Sequence, residues 1–407
     1  MKIKKCRICN SKFFFDLFSL GKLSFTGKFP VNLKDKIPKD FISLIMCKKC
    51  RLVQLDRNFN PNYLYSQDYG YRTGINSTMT KHVQHVAKEA MRLSKLKKNE
   101  YVLDIASNDG TLLNFYEKKF ITVGIDPVIN KYKKYYRNID FKISNFFSYN
   151  VLKKRGLNFK YKIISALSMF YDLKNPNLFV SDIKKILHKD GVFILEHADL
   201  LSLFKYTLFD TICHEHLEYY SSKIIMKLME KYKLRVFDIK NNDINGGSSR
   251  YFICHKNAKF KTNKKKITKI LSQEKKLKLE DKKFYLKFYK RIDLIKNKTK
   301  KLIENLLFKG KVIHGYGAST KGNVFLQYLQ ISSKKIPFIA ERNPMKFNKF
   351  TPGNYIKIIS EKESRLKKPD YYLVLPWHFK NEILKRETKI RRLGTKFIFP
   401  LPTLKVI

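Results

Sequence analysis

No apolar run in the sequence reaches the roughly 18 to 20 residues needed to span a bilayer. The opening residues, Met1-Lys-Ile-Lys-Lys-Cys6, carry charge without the apolar stretch of a secretory signal. A membrane-spanning chain is therefore not expected, and the cytoplasm is the expected compartment. Cysteine is sparse, six in 407 residues, which excludes a disulfide scaffold. Acid is short as well: 34 Asp plus Glu stand against 85 Lys plus Arg, a formal net charge of +51. Hydrophobic residues at 43% and aromatics at 14% nevertheless exclude a disordered basic chain. The lysines run through every segment rather than gathering in one stripe, so the charge reads as compositional rather than as a polyanion footprint. Nucleic acid is not expected as a partner; a small anionic ligand suits the charge better.

Four of the six cysteines form two pairs, Cys6-Arg-Ile-Cys9 and Cys47-Lys-Lys-Cys50. A C-x-x-C knuckle lets two thiolates reach one ion, and two knuckles close a tetrahedral zinc site with no position left for water. Cys6, Cys9, Cys47 and Cys50 are therefore expected to hold a structural zinc.

The length predicts two or three domains at roughly 150 residues each. Residues 1–75 read as a small zinc module without a long helix. From 76 to 255 strands alternate with helices: a helix at 80–97, strands at 101–105 and 121–125, a helix from Thr111, and further strands at 162–166, 191–196, 234–239 and 249–254. Such alternation gives βαβ units and a largely parallel sheet. Residues 256–308 are Lys-rich with apolar residues at helical spacing and read as a helical linker. Alternation resumes over 309–407, with strands at 311–314, 336–340, 371–375 and 396–399. The expected class is α/β, a zinc module followed by two Rossmann-like domains joined by helices.

Three segments carry chemistry. Asp104-Ile-Ala-Ser-Asn-Asp-Gly110 joins a strand to a helical stretch, a loose match to the glycine-rich turn of S-adenosylmethionine sites, with Ala106 and Asn108 where glycines are usual. Ser107 lies between them. Asp126 ends the next strand, 22 residues on (126 − 104), where a carboxylate takes the two hydroxyls of an adenosine ribose. The second segment, Phe209 to Ser221, contains His214-Glu-His216 and Tyr219. Its histidines lack the i, i+4 spacing of a metal helix, whereas His beside Glu suits proton transfer. The third, Gly315-Tyr-Gly-Ala-Ser-Thr-Lys-Gly-Asn323, follows a strand and opens a helix; its amides and Lys321 would cradle a phosphate. Glu341, ending the following strand, leaves an NAD site as the other reading of that turn.

Taken in order, the two C-x-x-C pairs, Arg51-Leu-Val-Gln-Leu55, Tyr69-Gly-Tyr71, Ser107-Asn-Asp-Gly110, His214-Glu-His216, Asn245-Gly-Gly-Ser248-Ser-Arg250, Gly315 to Asn323, and Thr351-Pro-Gly353 with Pro369-Asp370 are distinctive. The sequence resembles the zinc-containing, S-adenosylmethionine-dependent C-methyltransferases that act on nucleotide-linked keto-deoxysugars, and the resemblance spans almost the whole chain. It implies that the central domain holds S-adenosylmethionine through Asp104, Ala106, Ser107, Asn108, Gly110 and Asp126. The C-terminal domain would grip the sugar nucleotide. His216 is then the expected base, Glu215 its supporting carboxylate, and Tyr71 the tyrosine that reaches the sugar. His214, Tyr219, Asn245, Tyr316, Gly317, Ser319, Lys321 and Asn323 are expected on the substrate side. The sequence has Cys213 where many members have Tyr, and Asn245 where many have His. The expected activity is methyl transfer to a carbon beside a ketone. The alternatives are methylation of oxygen or nitrogen, an NAD-linked oxidoreductase, and a zinc-ribbon nucleic-acid binder.

Overall fold

The computed structural model describes residues 1–65 and 70–407; Tyr69, from the Tyr69-Gly-Tyr71 element, lies outside the described residues. Its strands form three sheets. The first begins with β1 (Phe14–Ser24), β2 (Lys39–Cys47) and β3 (Val53–Leu55), all antiparallel.

The second sheet is built from β4 (Tyr101–Ile105), β5 (Ile121–Ile125), β6 (Phe141–Ile143), β7 (Tyr161–Leu167) and β8 (Leu187–Ala198), largely buried and apolar except for the outermost, β6, where Phe141 and Lys142 are exposed. These five are parallel, with β4 central between β5 and β7. Burial on both faces explains why they read as continuous apolar runs. The chain then crosses back to the first sheet, where β9 (Glu218–Tyr219) pairs with β3 through Gln54↔Glu218 and Val53↔Tyr219. It returns as an antiparallel hairpin, β10 (Leu234–Asn242) and β11 (Ser248–His255), with β11 on β8.

The third sheet has the order β14-β13-β12-β15-β16-β17. Its strands are β12 (Ile313–Tyr316), β13 (Phe338–Glu341), β14 (Lys357–Ser360), β15 (Tyr371–Val374), β16 (Lys396–Phe399) and β17 (Lys405–Val406). All are parallel except β17. Both parallel sheets therefore reverse strand order beside their first strand, β4 or β12. The crevice at the carboxyl ends of the strands at such a switch point is where open α/β sheets take ligands.

Two helices, Lys264–Lys276 and Lys282–Phe308, occupy the Lys-rich segment. The longer one buries Tyr285, Phe288, Ile292, Ile303 and Leu306. Phe288 packs 5.9 Å from Phe18 of β1 and 4.5 Å from Phe204. The N-terminal module is consequently not an appendage: Leu17, Leu44 and Val53 share one apolar core with Ile313, Phe325 and Leu373 of the C-terminal domain.

Some expectations shift. The helix expected at 80–97 runs Ser77–Ser94, because the Asn76 side chain caps it by accepting from the amides of Thr78 and Met79. No helix follows Thr111; a single turn at Leu113–Phe115 takes its place. The stretch between Gly110 and Ile121 is too short to hold a helix and still return to β5, and Asp109 Oδ1 binds the Thr111 amide at 3.2 Å and its hydroxyl at 2.6 Å, closing the chain on itself.

Candidate active site

The sulfurs of Cys6, Cys9, Cys47 and Cys50 lie within 4.8 Å of one another. Cys6 and Cys50 are 3.5 Å apart, as are Cys9 and Cys47, close to the separation of thiolates bonded at about 2.3 Å to one tetrahedral ion. The knuckles are built alike. The amides of Asn10 and Arg51 donate to the carbonyls of Cys6 and Cys47, each at 3.0 Å, and both residues take left-handed φ values, 58° and 65°. Gln54 Nε2 sits 3.3 Å from Cys6 Sγ, a donor suited to thiolate charge. Between the two cysteines of the first knuckle, the buried Arg7 donates to the carbonyl of Leu55 at 2.9 Å and lies 3.5 Å from Glu218 of β9. The metal module thus holds the segment that carries His216.

At the end of β4, Ala106, Asn108 and Gly110 take φ values of 58°, 52° and 74°. The backbone follows a glycine-rich turn although only one glycine is present; Asn adopts this region readily, and Ala pays about 1 kcal/mol or more for it. The Asn108 amide donates to Asp126 Oδ2 at 2.9 Å and the Val128 amide to Oδ1 at 2.8 Å. Ser165 Oγ donates to Asp104 at 2.6 Å, and Ser107 Oγ is 2.7 Å from the Tyr136 hydroxyl. Burial pushes Asp104 up to about 7 and Asp126 up to about 6, against the hydrogen bonds from Ser165 to the one and from the Val128 and Asn108 amides to the other. A ligand bearing positive charge and ribose hydroxyls would relieve both carboxylates, and S-adenosylmethionine fits that description.

The third sheet repeats the arrangement. Glu341, ending β13, accepts from the amide of Ala318 at 2.7 Å and from those of Arg342 and Asn343 at 2.8 Å. Gly317 has φ 81°, and a Cβ there would lie 2.6 Å from Pro376, so only glycine fits. Ser319 caps the helix Thr320–Tyr328 by accepting from Gly322 at 3.0 Å. The Tyr316 hydroxyl donates toward the carboxylates of Glu387 at 2.7 Å and Glu361 at 2.9 Å, and accepts from Arg386 at 2.7 Å.

Between the two turns lies His216. Its Nδ1–H donates to the Thr211 carbonyl at 2.7 Å, which leaves Nε2 as the ring's acceptor. Burial, reinforced by the charge of Lys321, pushes the imidazole down to about 3, so it is neutral at physiological pH. One cavity of about 550 Å³ is bounded by the Asp104 turn, His216 and the Gly317 turn together.

Three family models match consecutive parts of the chain: a zinc binding domain over residues 6–65, a methyltransferase domain over 79–238, and a C-methyltransferase C-terminal domain over 243–402. The C-methyltransferase NovU of Streptomyces niveus is 26% identical over 412 residues, covering 100% of this chain and 97% of that protein. The chain is a zinc-containing, S-adenosylmethionine-dependent C-methyltransferase. Among solved structures, an S-adenosylmethionine-dependent methyltransferase from Clostridium acetobutylicum is 15% identical with a TM-score of 0.34, covering 43% of this chain and 92% of its own. The magnesium protoporphyrin IX methyltransferase of Synechocystis is 11% identical with a TM-score of 0.33, covering 43% and 79%. Among the described residues no helix is long and apolar enough to cross a membrane.

Of the methyltransferase's sequence-predicted site residues, Tyr71, Asp104, Ala106, Ser107, Asn108, Asp126, Glu215, His216, Asn245, Tyr316, Gly317, Ser319 and Lys321 bound this cavity. The others do not. Gly110 turns behind the loop against Ile139 and Tyr136. His214 donates from Nε2 to the Asp40 carbonyl at 3.2 Å and packs 4.5 Å from Phe25 and 4.9 Å from Phe59, a place in the apolar core. Tyr219 lies in β9 and backs a small neighbouring hollow. Asn323 spends its amide on the Thr26 carbonyl at 2.8 Å, tying its helix to the N-terminal module. Glu215 does not touch His216: the Thr26 hydroxyl donates to its carboxylate at 3.0 Å, because neighbouring residues of this tight turn point apart. The orienting partner of the imidazole is Thr211, acting through its carbonyl, which no side-chain pattern reveals.

Residues that motif reading passed over also border the cleft. Asp172 is half-buried, its shielded Oδ1 lacks a partner among the described residues, and desolvation holds the carboxyl well above the usual carboxylate range. Glu196 accepts from Arg250 at 2.6 Å and pairs with His82. His378 follows β15. Their common sequence signal is position, just beyond or at the carboxyl end of a parallel strand.

Proposed function

We propose that the enzyme methylates a carbon next to the ketone of a nucleotide-linked deoxysugar. The carrying observation is the placement of a neutral imidazole, its Nε2 unspent, in one cavity between two nucleotide-type turns. A carbon beside a carbonyl is acidic enough to lose a proton only to a positioned base, and such a base contributes typically about 10² to 10⁴-fold. His216 Nε2 takes that proton, and the Thr211 carbonyl steadies the imidazolium through Nδ1–H. Bound S-adenosylmethionine supplies an electrophilic methyl group on a sulfonium. Asp126 and Asp104, at the ends of β5 and β4, would hold the cofactor's ribose hydroxyls and offset its positive charge.

Tyr71 is placed by the cofactor turn itself: its carbonyl accepts from Asn108 Nδ2 at 3.3 Å and from the Tyr132 hydroxyl at 2.9 Å. Its side chain is exposed to the cleft, and its hydroxyl, protonated at neutral pH like any phenol, is a donor for the sugar. On the far side, the first-turn amides of Thr320 and Lys321, at the start of a nine-residue helix, supply the partial positive charge that a diphosphate requires. Alignment of carbon, methyl and sulfur is then the main remaining task.

The test is incubation with labelled S-adenosylmethionine and a panel of nucleotide 4-keto-6-deoxyhexoses, with the new methyl located by NMR. A carbon-bound methyl beside the former ketone is the expected product. A methyl on oxygen or nitrogen would refute the reading.

A further inference from the structure

Lys321 was expected to reach for phosphate, yet its ammonium is directed elsewhere. Nζ donates to the Asn245 carbonyl at 2.7 Å, across the cleft on the central domain. Among the described residues no carboxylate comes within ion-pairing distance of it; Asp210, whose charge acts on it from farther off, accepts from Trp377 Nε1 at 2.9 Å. Lys321 shares the wall of the cavity with His216 and His378, and its charge acts on both imidazoles. A half-buried ammonium hydrogen-bonded to a carbonyl, with no carboxylate among the described residues in ion-pairing reach, gains from an anion that joins it in the cleft. The diphosphate already has the helix amides. The anion that arises beside His216 during turnover is the enolate.

We propose that Lys321 is a catalytic residue, the counter-charge that receives the ketone oxygen of the sugar while His216 removes the neighbouring proton. This rests on the keto-sugar reading above. The C–H electron pair becomes the C=C bond, the carbonyl π pair moves onto oxygen as an enolate held by Lys321, and the proton resides on His216 Nε2. When the enolate carbon takes the methyl, the ketone re-forms, the sulfonium leaves as a neutral thioether, and His216 returns its proton to solvent. A preformed donor at an oxyanion typically supplies about 10²- to 10³-fold. The Asn245 carbonyl aims the ammonium and so acts as a positioning group.

The experiment uses the full-length zinc protein without S-adenosylmethionine. Deuterium uptake from solvent at the acidic carbon of a nucleotide 4-keto-6-deoxyhexose is followed by NMR for wild type, Lys321→Met and Lys321→Gln, and the affinity of the bare nucleoside diphosphate is measured by calorimetry. The proposal predicts an exchange rate at saturation lowered about 10²- to 10³-fold in both variants, with diphosphate affinity within about twofold of wild type. S-adenosylmethionine binding by both variants certifies their folding. Near-normal exchange in either variant, or a diphosphate affinity that falls tenfold while exchange persists, would overturn the assignment and make Lys321 a phosphate grip. Absence of exchange in the wild type across the whole panel would instead overturn the keto-sugar reading, and this inference with it.

Discussion

The Nδ1 of His216 lies 2.7 Å from the carbonyl oxygen of Thr211, five residues earlier in the same loop. That contact fixes the tautomer, and burial beside Lys321 keeps the ring neutral, down to about 3. A group lowered this far stays in its base form as pH falls through 6.5. Proton exchange at the substrate carbon should therefore show no acid limb between pH 8 and pH 5 when measured without cofactor. A fall centred near 6.5 would place the base in an ordinary histidine environment.

The cofactor pocket should behave oppositely. Asp104 and Asp126 are raised to about 7 and about 6, so each is partly protonated where a free carboxylate would be ionised. A cationic ligand favours the charged forms. S-adenosylmethionine affinity should accordingly rise as pH increases from 5 to 8, and calorimetry in buffers of different ionisation enthalpy should detect proton release on binding. Affinity flat across that range would contradict the assignment of these two carboxylates to the cofactor.

The zinc module should matter twice. Cys47→Ser should abolish stoichiometric zinc and soluble protein, since structural zinc is worth about 10 kcal/mol or more of folding energy. Arg7→Met leaves all four thiolates in place but removes the ties to Leu55 and Glu218. It should retain zinc by elemental analysis while turnover falls and Tm drops, because β9 and the His216 loop lose their anchor. Full activity in Arg7→Met would show that the loop holds its position without the module.

Gly247 joins β10 to β11 with φ 133°, and a Cβ there would lie 2.3 Å from Ser202 Cβ. Gly247→Ala should cost about 3 kcal/mol or more through backbone strain and overpacking together, read as a lowered Tm with zinc still bound. The neighbouring Asn245 aims Lys321, so the same change should reduce exchange more than it reduces nucleotide binding.

Much of this was legible in the residues. Buried parallel strands announce themselves as apolar runs, and both ligand turns stood where such strands end. The two C-x-x-C pairs named their geometry outright. What the sequence concealed was of two kinds. Short elements such as β9 and β14 exist only because tertiary pairing creates them. Partnerships made through backbone or across long separations, such as Thr211 with His216, Thr26 with Glu215 and Asn245 with Lys321, leave no periodic trace. For the same reason His214 and His216, two residues apart, look equivalent as letters. One is wedged among Phe25 and Phe59 while the other borders the cleft.

The most direct test of the central claim is solvent deuterium incorporation at the acidic carbon of the keto-sugar nucleotide by wild type and by His216→Asn, with S-adenosylmethionine binding checked in both. The account predicts incorporation in the wild type and its loss in the variant, at unchanged cofactor affinity. Undiminished incorporation in His216→Asn would contradict it and move the base to another side chain of the cleft.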